Sequence, residues 1–150
     1  MSKTVLAIAS GGGHWAEMRR LMPAFDGLDV SYASIRPEYE SEALGRPYYF
    51  FNDFHRHRKR GAVPSALKIM WIVFKVRPQV VISTGSAPTL VALATAKLFF
   101  GAKTIWIDSL ANVEHLSSSG KLARYVADIW LTQWPHVATE KGPAYWGAVL

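Results

Sequence analysis

Thr4-Val5-Leu6-Ala7-Ile8-Ala9 is an unbroken apolar run that stops in Ser10-Gly11-Gly12-Gly13-His14. A run with no polar alternation is the pattern of a strand buried on both faces, as in a parallel sheet. Trp15, Met18, Met22 and Phe25 then recur at helical spacing. The glycines therefore make a tight turn from a strand over Lys3–Ala9 into a helix beginning near His14, which Pro23 should shorten or kink.

Working outward, the same alternation continues. A second strand is expected over Asp29–Ala33. A polar loop through Arg36-Pro37 and Gly45-Arg46-Pro47 leads to a short aromatic strand at Tyr48–Phe51. An apolar helix over Pro64–Val76 ends at Arg77-Pro78, and Val80-Val81-Ile82 is another buried strand. Thr84-Gly85-Ser86 turns into a helix with Ser86 as N-cap and Pro88 in its first turn, closed by Gly101. Thr104–Asp108 is a strand, Leu116–Val126 a helix and Ile129–Thr132 a further strand. The order β-α-β-β-α-β-α-β-α-β calls for an α/β, Rossmann-like, doubly wound and mostly parallel sheet with helices on both faces. At 150 residues the expectation is a single domain over 1–150.

Composition narrows the function. Half the residues are apolar and 19% are charged, which suits a packed core rather than a disordered tail. Lys and Arg number 17 against 11 Asp and Glu, a net charge of +6 that favours an anionic partner. The chain has no Cys, so disulfides, thiolate metal sites and a Cys nucleophile are excluded, and the cytoplasm is the default compartment. No export signal is visible at the N-terminus, where the apolar run reads as a strand.

The charge is concentrated. Between Asp53 and Asp108 there is no acidic residue. Arg56, Arg58, Lys59 and Arg60 lead into an apolar helix carrying Lys68, Trp71 and Phe74. Basic residues beside aromatic and aliphatic ones make an interfacial membrane helix, and this one is too short to cross a bilayer. An anionic membrane surface is the partner expected there. Trp130, Trp134 and Trp146 read as core or interface rather than a base-stacking platform, and no nucleic-acid partner is expected.

In a doubly wound sheet the ligand crevice lies beyond the carboxyl ends of the strands where their order reverses. Both glycine turns fall there. Ser10, Gly11, Gly12 and Gly13 form one wall, and Gly85 and Ser86 the other; each opens a helix whose free N–H groups can seat an oxyanion. His14 stands at a helix start inside the crevice, where a neutral imidazole can accept a hydroxyl proton. Asp108 ends a strand aimed at the same place, followed by Ser109 and Asn112; it can orient a hydroxyl or cap the next turn. His55 and His57 lack acidic or Cys company, so no metal site and no cofactor are expected.

Ser-Gly-Gly-Gly-His-Trp-Ala-Glu-Met-Arg-Arg-Leu at 10–21, Ser-Thr-Gly-Ser-Ala-Pro at 83–88, the run Trp106–Leu122 and Leu-Thr-Gln-Trp-Pro at 131–135 together resemble one family. It is the acceptor-side subunit of split GT-B glycosyltransferases. It includes PssD-type proteins of exopolysaccharide assembly and the membrane-anchoring subunit of the dolichol-pathway UDP-GlcNAc transferase, and is similar to the N-terminal domain of MurG. The resemblance implies the N-terminal half of a GT-B fold that binds a polyprenyl-diphosphate-linked saccharide, peripheral on the inner face of the cell membrane. A separate donor-binding subunit would bring the UDP-sugar, with a glucuronosyl or similar hexosyl group to transfer and no bound metal. Gly11, Gly12, Gly13 and His14 match the family's Gly-Gly-His loop, and Gly85 and Ser86 its second glycine loop. Asp108, Ser109 and Asn112 fall where relatives usually read Ile-Glu-Ser, with Asp here in place of Glu.

On this reading His14, or second Asp108, activates the acceptor hydroxyl for attack on the anomeric carbon while UDP leaves. Two other readings stand beside it. The chain could be a non-catalytic adaptor recruiting a complete enzyme to the membrane. Alternatively, Gly11-x-Gly13-x-x-Ala16 is a dinucleotide fingerprint of an NADP oxidoreductase, with Ser34 and Arg36 placed for a 2′-phosphate.

Overall fold

A computed structural model describes residues 2–54 and 59–149. Among them, seven strands form one sheet: β1 (Thr4–Ile8), β2 (Asp29–Ser34), β3 (Tyr48–Phe50), β4 (Val80–Ser83), β5 (Lys103–Ile107), β6 (Ile129–Thr132) and β7 (Ala144–Tyr145). Their spatial order is β3-β2-β1-β4-β5-β6-β7, and every neighbouring pair is parallel. The order reverses between β1 and β4, the crevice position expected from the sequence.

Four α-helices cover the sheet: α1 (Gly13–Leu21), α2 (Ala62–Val76), α3 (Ala87–Phe100) and α4 (Ser118–Ala123). The period-two alternation of the strands sends Leu6, Ile8 and Val81 to one face, against Ile69, Ile72 and Val73 of α2 and Ala92, Leu93 and Ala96 of α3. Val5, Ala7, Val30 and Tyr32 point the other way, toward Trp15 and Met18 of α1 and toward Met22 and Phe25. This double burial explains the unbroken apolar run in β1. Each such buried side chain removes apolar area worth roughly 1.5–3 kcal/mol from water.

Pro23 acts as expected: α1 ends at Leu21 and residues Met22–Phe25 continue as a tighter 3-10 turn. A second 3-10 segment, Pro37–Glu42, lies in the polar loop before β3. Two expectations need correction. The helix over Leu116–Val126 is only the six residues Ser118–Ala123; the Ser117 hydroxyl accepts from Gly120 N and starts it two residues later than the apolar pattern suggests. Ser86 does occupy the N-cap position of α3, but its side chain makes no capping bond. Its backbone is held at φ 91°, and its Oγ has no hydrogen-bond partner.

Candidate functional site

The crevice is built by two turns that grip each other. β1 and β4 pair in parallel with Ile8 opposite Ser83, so the chain leaving each strand enters the same space. His14 Nδ1 lies 3.0 Å from the Thr84 carbonyl, and the Thr84 hydroxyl donates to the His14 carbonyl at 2.6 Å. The Thr84 carbonyl has no proton to give, so the Nδ1 nitrogen must carry the proton of that bond, and in the neutral ring Nε2 keeps its lone pair. The close approach requires glycine at 85. Its φ is 133°, and a Cβ would stand 2.4 Å from His14 Nδ1.

Around this lock, His14 and Gly13 line a cavity of about 300 Å³ with Ser109, Ala111, Asn112 and Ser117. The expected residues His14, Gly13, Ser109 and Asn112 thus converge. Ser86 lies at the start of α3 beside Gly85, and its buried Oγ has no hydrogen-bond partner. Gly11 is pressed by Ile35 and the Tyr39 hydroxyl, and the Gly12 N–H donates to Tyr39 Oη at 3.2 Å. Tyr39 itself stacks on Trp15 with ring centroids 4.9 Å apart, while Trp15 Nε1 donates to Glu42 at 2.8 Å. The glycine turn is therefore braced by the 3-10 segment Pro37–Glu42. Ser10 is buried below it, its carbonyl accepting from Ser34 Oγ.

Asp108 is turned inward. Its carboxylate, 2% exposed, accepts from Trp106 Nε1 at 3.1 Å, Asn112 Nδ2 at 3.1 Å, Ser117 N at 3.0 Å and Ser117 Oγ at 2.6 Å. These bonds fold residues 109–117 back over the end of β5, and the carboxylate is not among the groups lining the cavity. Of the two orientations open from the sequence, the structure has the capping one. Gly120 packs so tightly here that a Cβ would stand 2.4 Å from Asp108 Oδ1.

Sequence reasoning missed Thr84, Tyr39, Glu17, Ser117 and Gln133. Glu17 is buried on α1 although it stands off the face that Trp15, Met18, Met22 and Phe25 mark out, so the helical period gave no signal for it. Gln133 and Ser117 gave none, since Ser117 meets Asp108 nine positions away and Gln133 meets Glu17 116 positions away.

On the opposite face, α2 carries the cationic and aromatic residues. Lys59 and Arg60 are exposed at its start, and Lys68 Nζ sits 4.3 Å from the Trp71 ring. Trp71 is 50% exposed and Phe74 43%. Phe74 meets Phe99 of α3 with centroids 5.1 Å apart, so exposed Phe99 extends the same patch. Arg56 and Arg58, with His55 and His57, lie outside the described residues. No helix among the described residues is long and apolar enough to cross a membrane.

Ser34 is fully buried and donates to the Ser10 carbonyl, so its hydroxyl is not open to a 2′-phosphate, while Arg36 is exposed with Glu38 3.9 Å away. Among the described residues no group of three or more His, Asp or Glu side chains could hold a metal ion. Elsewhere in the brace, burial pushes the Tyr48 phenol up to about 12, so at neutral pH it stays protonated and donates to the Arg36 carbonyl.

An all-parallel doubly wound sheet with two facing glycine turns at its switch point is the Rossmann-like, N-terminal half of a GT-B fold. MurG of Acinetobacter baumannii superposes with a TM-score of 0.72 at 12% identity, over 97% of this chain and 45% of that one. The UDP-N-acetylglucosamine 2-epimerase of Rickettsia bellii gives 0.68 at 13% identity, over 91% of this chain and 40% of that one. The chain spans less than half of either solved structure, and these likenesses establish the fold. Residues 58–149 match the family described as "Oligosaccharide biosynthesis protein Alg14 like", and the chain belongs to that family. The human UDP-N-acetylglucosamine transferase subunit ALG14 is 26% identical, over 99% of this chain and 84% of that protein. The subunit of the same name from Eremothecium gossypii is 27% identical, over 97% of this chain and 79% of its own length.

Proposed function

We propose that this chain is the membrane-docked, acceptor-side subunit of a two-chain glycosyltransferase. A donor-binding partner, itself a Rossmann-like half, completes the cleft and brings a UDP-sugar. The acceptor is a polyprenyl-diphosphate-linked saccharide, and the sugar moved is a hexosyl or hexuronosyl group, glucuronosyl being the first to try. Docking is to the inner face of the cell membrane, through Lys59, Arg60, Lys68, Trp71 and Phe74 together with Arg56 and Arg58.

The observation that carries this reading is the His14–Thr84 lock at the rim of the cavity. It commits Nδ1 to a carbonyl and leaves Nε2 as the acceptor that a sugar hydroxyl needs. The uncapped N-termini of α1 and α3 supply N–H groups and positive dipole ends for the diphosphate. The unpartnered Ser86 hydroxyl adds a donor at the same edge.

A second reading, the non-catalytic adaptor that recruits a complete enzyme, is favoured by Asp108. Its carboxylate is fully engaged within the loop, so His14 stands without a carboxylate partner in the cavity. Co-purification with a small Rossmann-like partner, followed by assay against a panel of UDP-sugars on a polyprenyl-diphosphate acceptor, tests both. Activity that requires both chains and is lost on crevice substitution supports the acceptor subunit. Activity of the partner alone, once tethered to membranes, supports the adaptor.

A further inference from the structure

Glu17, the acidic residue of α1, is 4% exposed and lies one helical turn after His14. A carboxylate taken from water this way costs several kcal/mol unless its oxygens are satisfied. Here they are. Oε1 accepts from Leu110 N at 2.7 Å and Gln133 Nε2 at 2.6 Å, and Oε2 accepts from Ser109 Oγ at 3.0 Å. All three donors are neutral and belong to chain segments remote from α1 in sequence.

The bonds meet where the far wall of the cavity begins. Ser109 and Leu110 start the loop whose Ala111, Asn112 and Ser117 face His14 across the cavity. Gln133 also donates to the Asp108 carbonyl at 2.9 Å and accepts from Val149 N at 2.7 Å, which ties the loop to the end of β6. Glu17 does not itself line the cavity. An α-helix is stiff over one turn, so whatever holds Glu17 to residues 109–110 also sets the gap between His14 and Asn112.

We propose that Glu17 is a positioning residue of the crevice: it fixes the loop 109–117 at the separation from His14 that the acceptor requires. The proposal deepens the acceptor-site reading and rests on it for the ligand arm of its test only.

Hydrogen exchange and calorimetric binding of inorganic pyrophosphate are measured on the full chain and on Glu17→Ala and Glu17→Gln. In Glu17→Ala, loss of three bonds at a buried site raises exchange in residues 109–117 by about tenfold or more, with β1 and β4 unchanged. Pyrophosphate binding weakens by about tenfold as the wall loosens. Glu17→Gln restores both, because its Oε1 still accepts from Leu110 and Gln133 while its amide donates to Ser109. Unchanged exchange in 109–117, or a rise spread evenly over the sheet, overturns the proposal. So does failure of the Gln variant to rescue. If native protein binds no pyrophosphate, the acceptor reading fails, while the exchange pattern still decides the role of Glu17. Should Glu17→Ala not fold, Ser109→Ala removes one bond of the three, and a smaller rise confined to the same loop is expected; none there overturns the proposal.

Discussion

His14 and Thr84 are bonded in both directions, ring nitrogen to carbonyl and hydroxyl to carbonyl, across 70 residues of sequence. That reciprocity makes the two turns one unit. A change on either side is felt by the imidazole, and the first predictions use this.

Gly85→Ala should be severely disruptive. The substitution adds backbone strain at φ 133° and a methyl group 2.4 Å from His14 Nδ1. Together these cost about 2–4 kcal/mol in urea unfolding. Gly13→Ala is the control: its Cβ meets nothing within 4 Å, so its stability should change by less than about 1 kcal/mol.

Asp108→Ala should destabilise by about 2–4 kcal/mol, because it leaves the Trp106 indole, the Ser117 N–H and the Asn112 amide without their acceptor. Thermal unfolding reads this directly. A catalytic carboxylate facing solvent would instead lose activity at unchanged stability.

Acid sensitivity should localise to Asp128. Burial opposes its ionisation, but the Thr104 N–H and hydroxyl and the Lys97 ammonium outweigh burial and hold its carboxyl below the ordinary value. A depressed carboxyl stabilises the fold above its unfolded value near 3.8, and the contribution is lost as pH falls through the lower folded value. Asp128→Asn should therefore lower stability at pH 7 by about 1 kcal/mol and flatten the decline below pH 4 in a denaturation series.

Membrane docking should depend on both the basic and the aromatic residues of the surface formed by α2, the residues just before it and α3. Reversing Lys59, Arg60 and Lys68 to Glu should weaken sedimentation with anionic liposomes by about 1 kcal/mol per charge at low salt, and little with neutral ones. Phe99→Glu should weaken both, since Phe99 extends the apolar patch from Phe74. Unchanged sedimentation in both variants would remove this face from the account.

Much of the architecture was legible because it depends on local pattern. The apolar runs at 4–9 and 80–82 are strands because both faces are covered, and Pro23 and Gly101 stop helices for backbone reasons that act wherever they occur. The meeting of the two glycine turns followed from topology alone. Side-chain direction did not. Asp108 stands at the strand end where a site residue belongs, yet Ser117, Trp106 and Asn112 draw its carboxylate inward, and those bonds form only once the loop closes. β7 is two residues long and held by β6, so it left no periodic trace. The burial of Glu17 left no local mark either, because its partner Gln133 is 116 positions away.

The central claim is that the crevice at His14 takes part in sugar transfer. Its most direct test is the turnover of the reconstituted two-chain complex carrying His14→Ala, with partner binding and liposome sedimentation measured alongside. The account predicts a fall in kcat of about 10²-fold or more with both associations intact. Turnover near that of the native complex would contradict it and leave the chain as an adaptor.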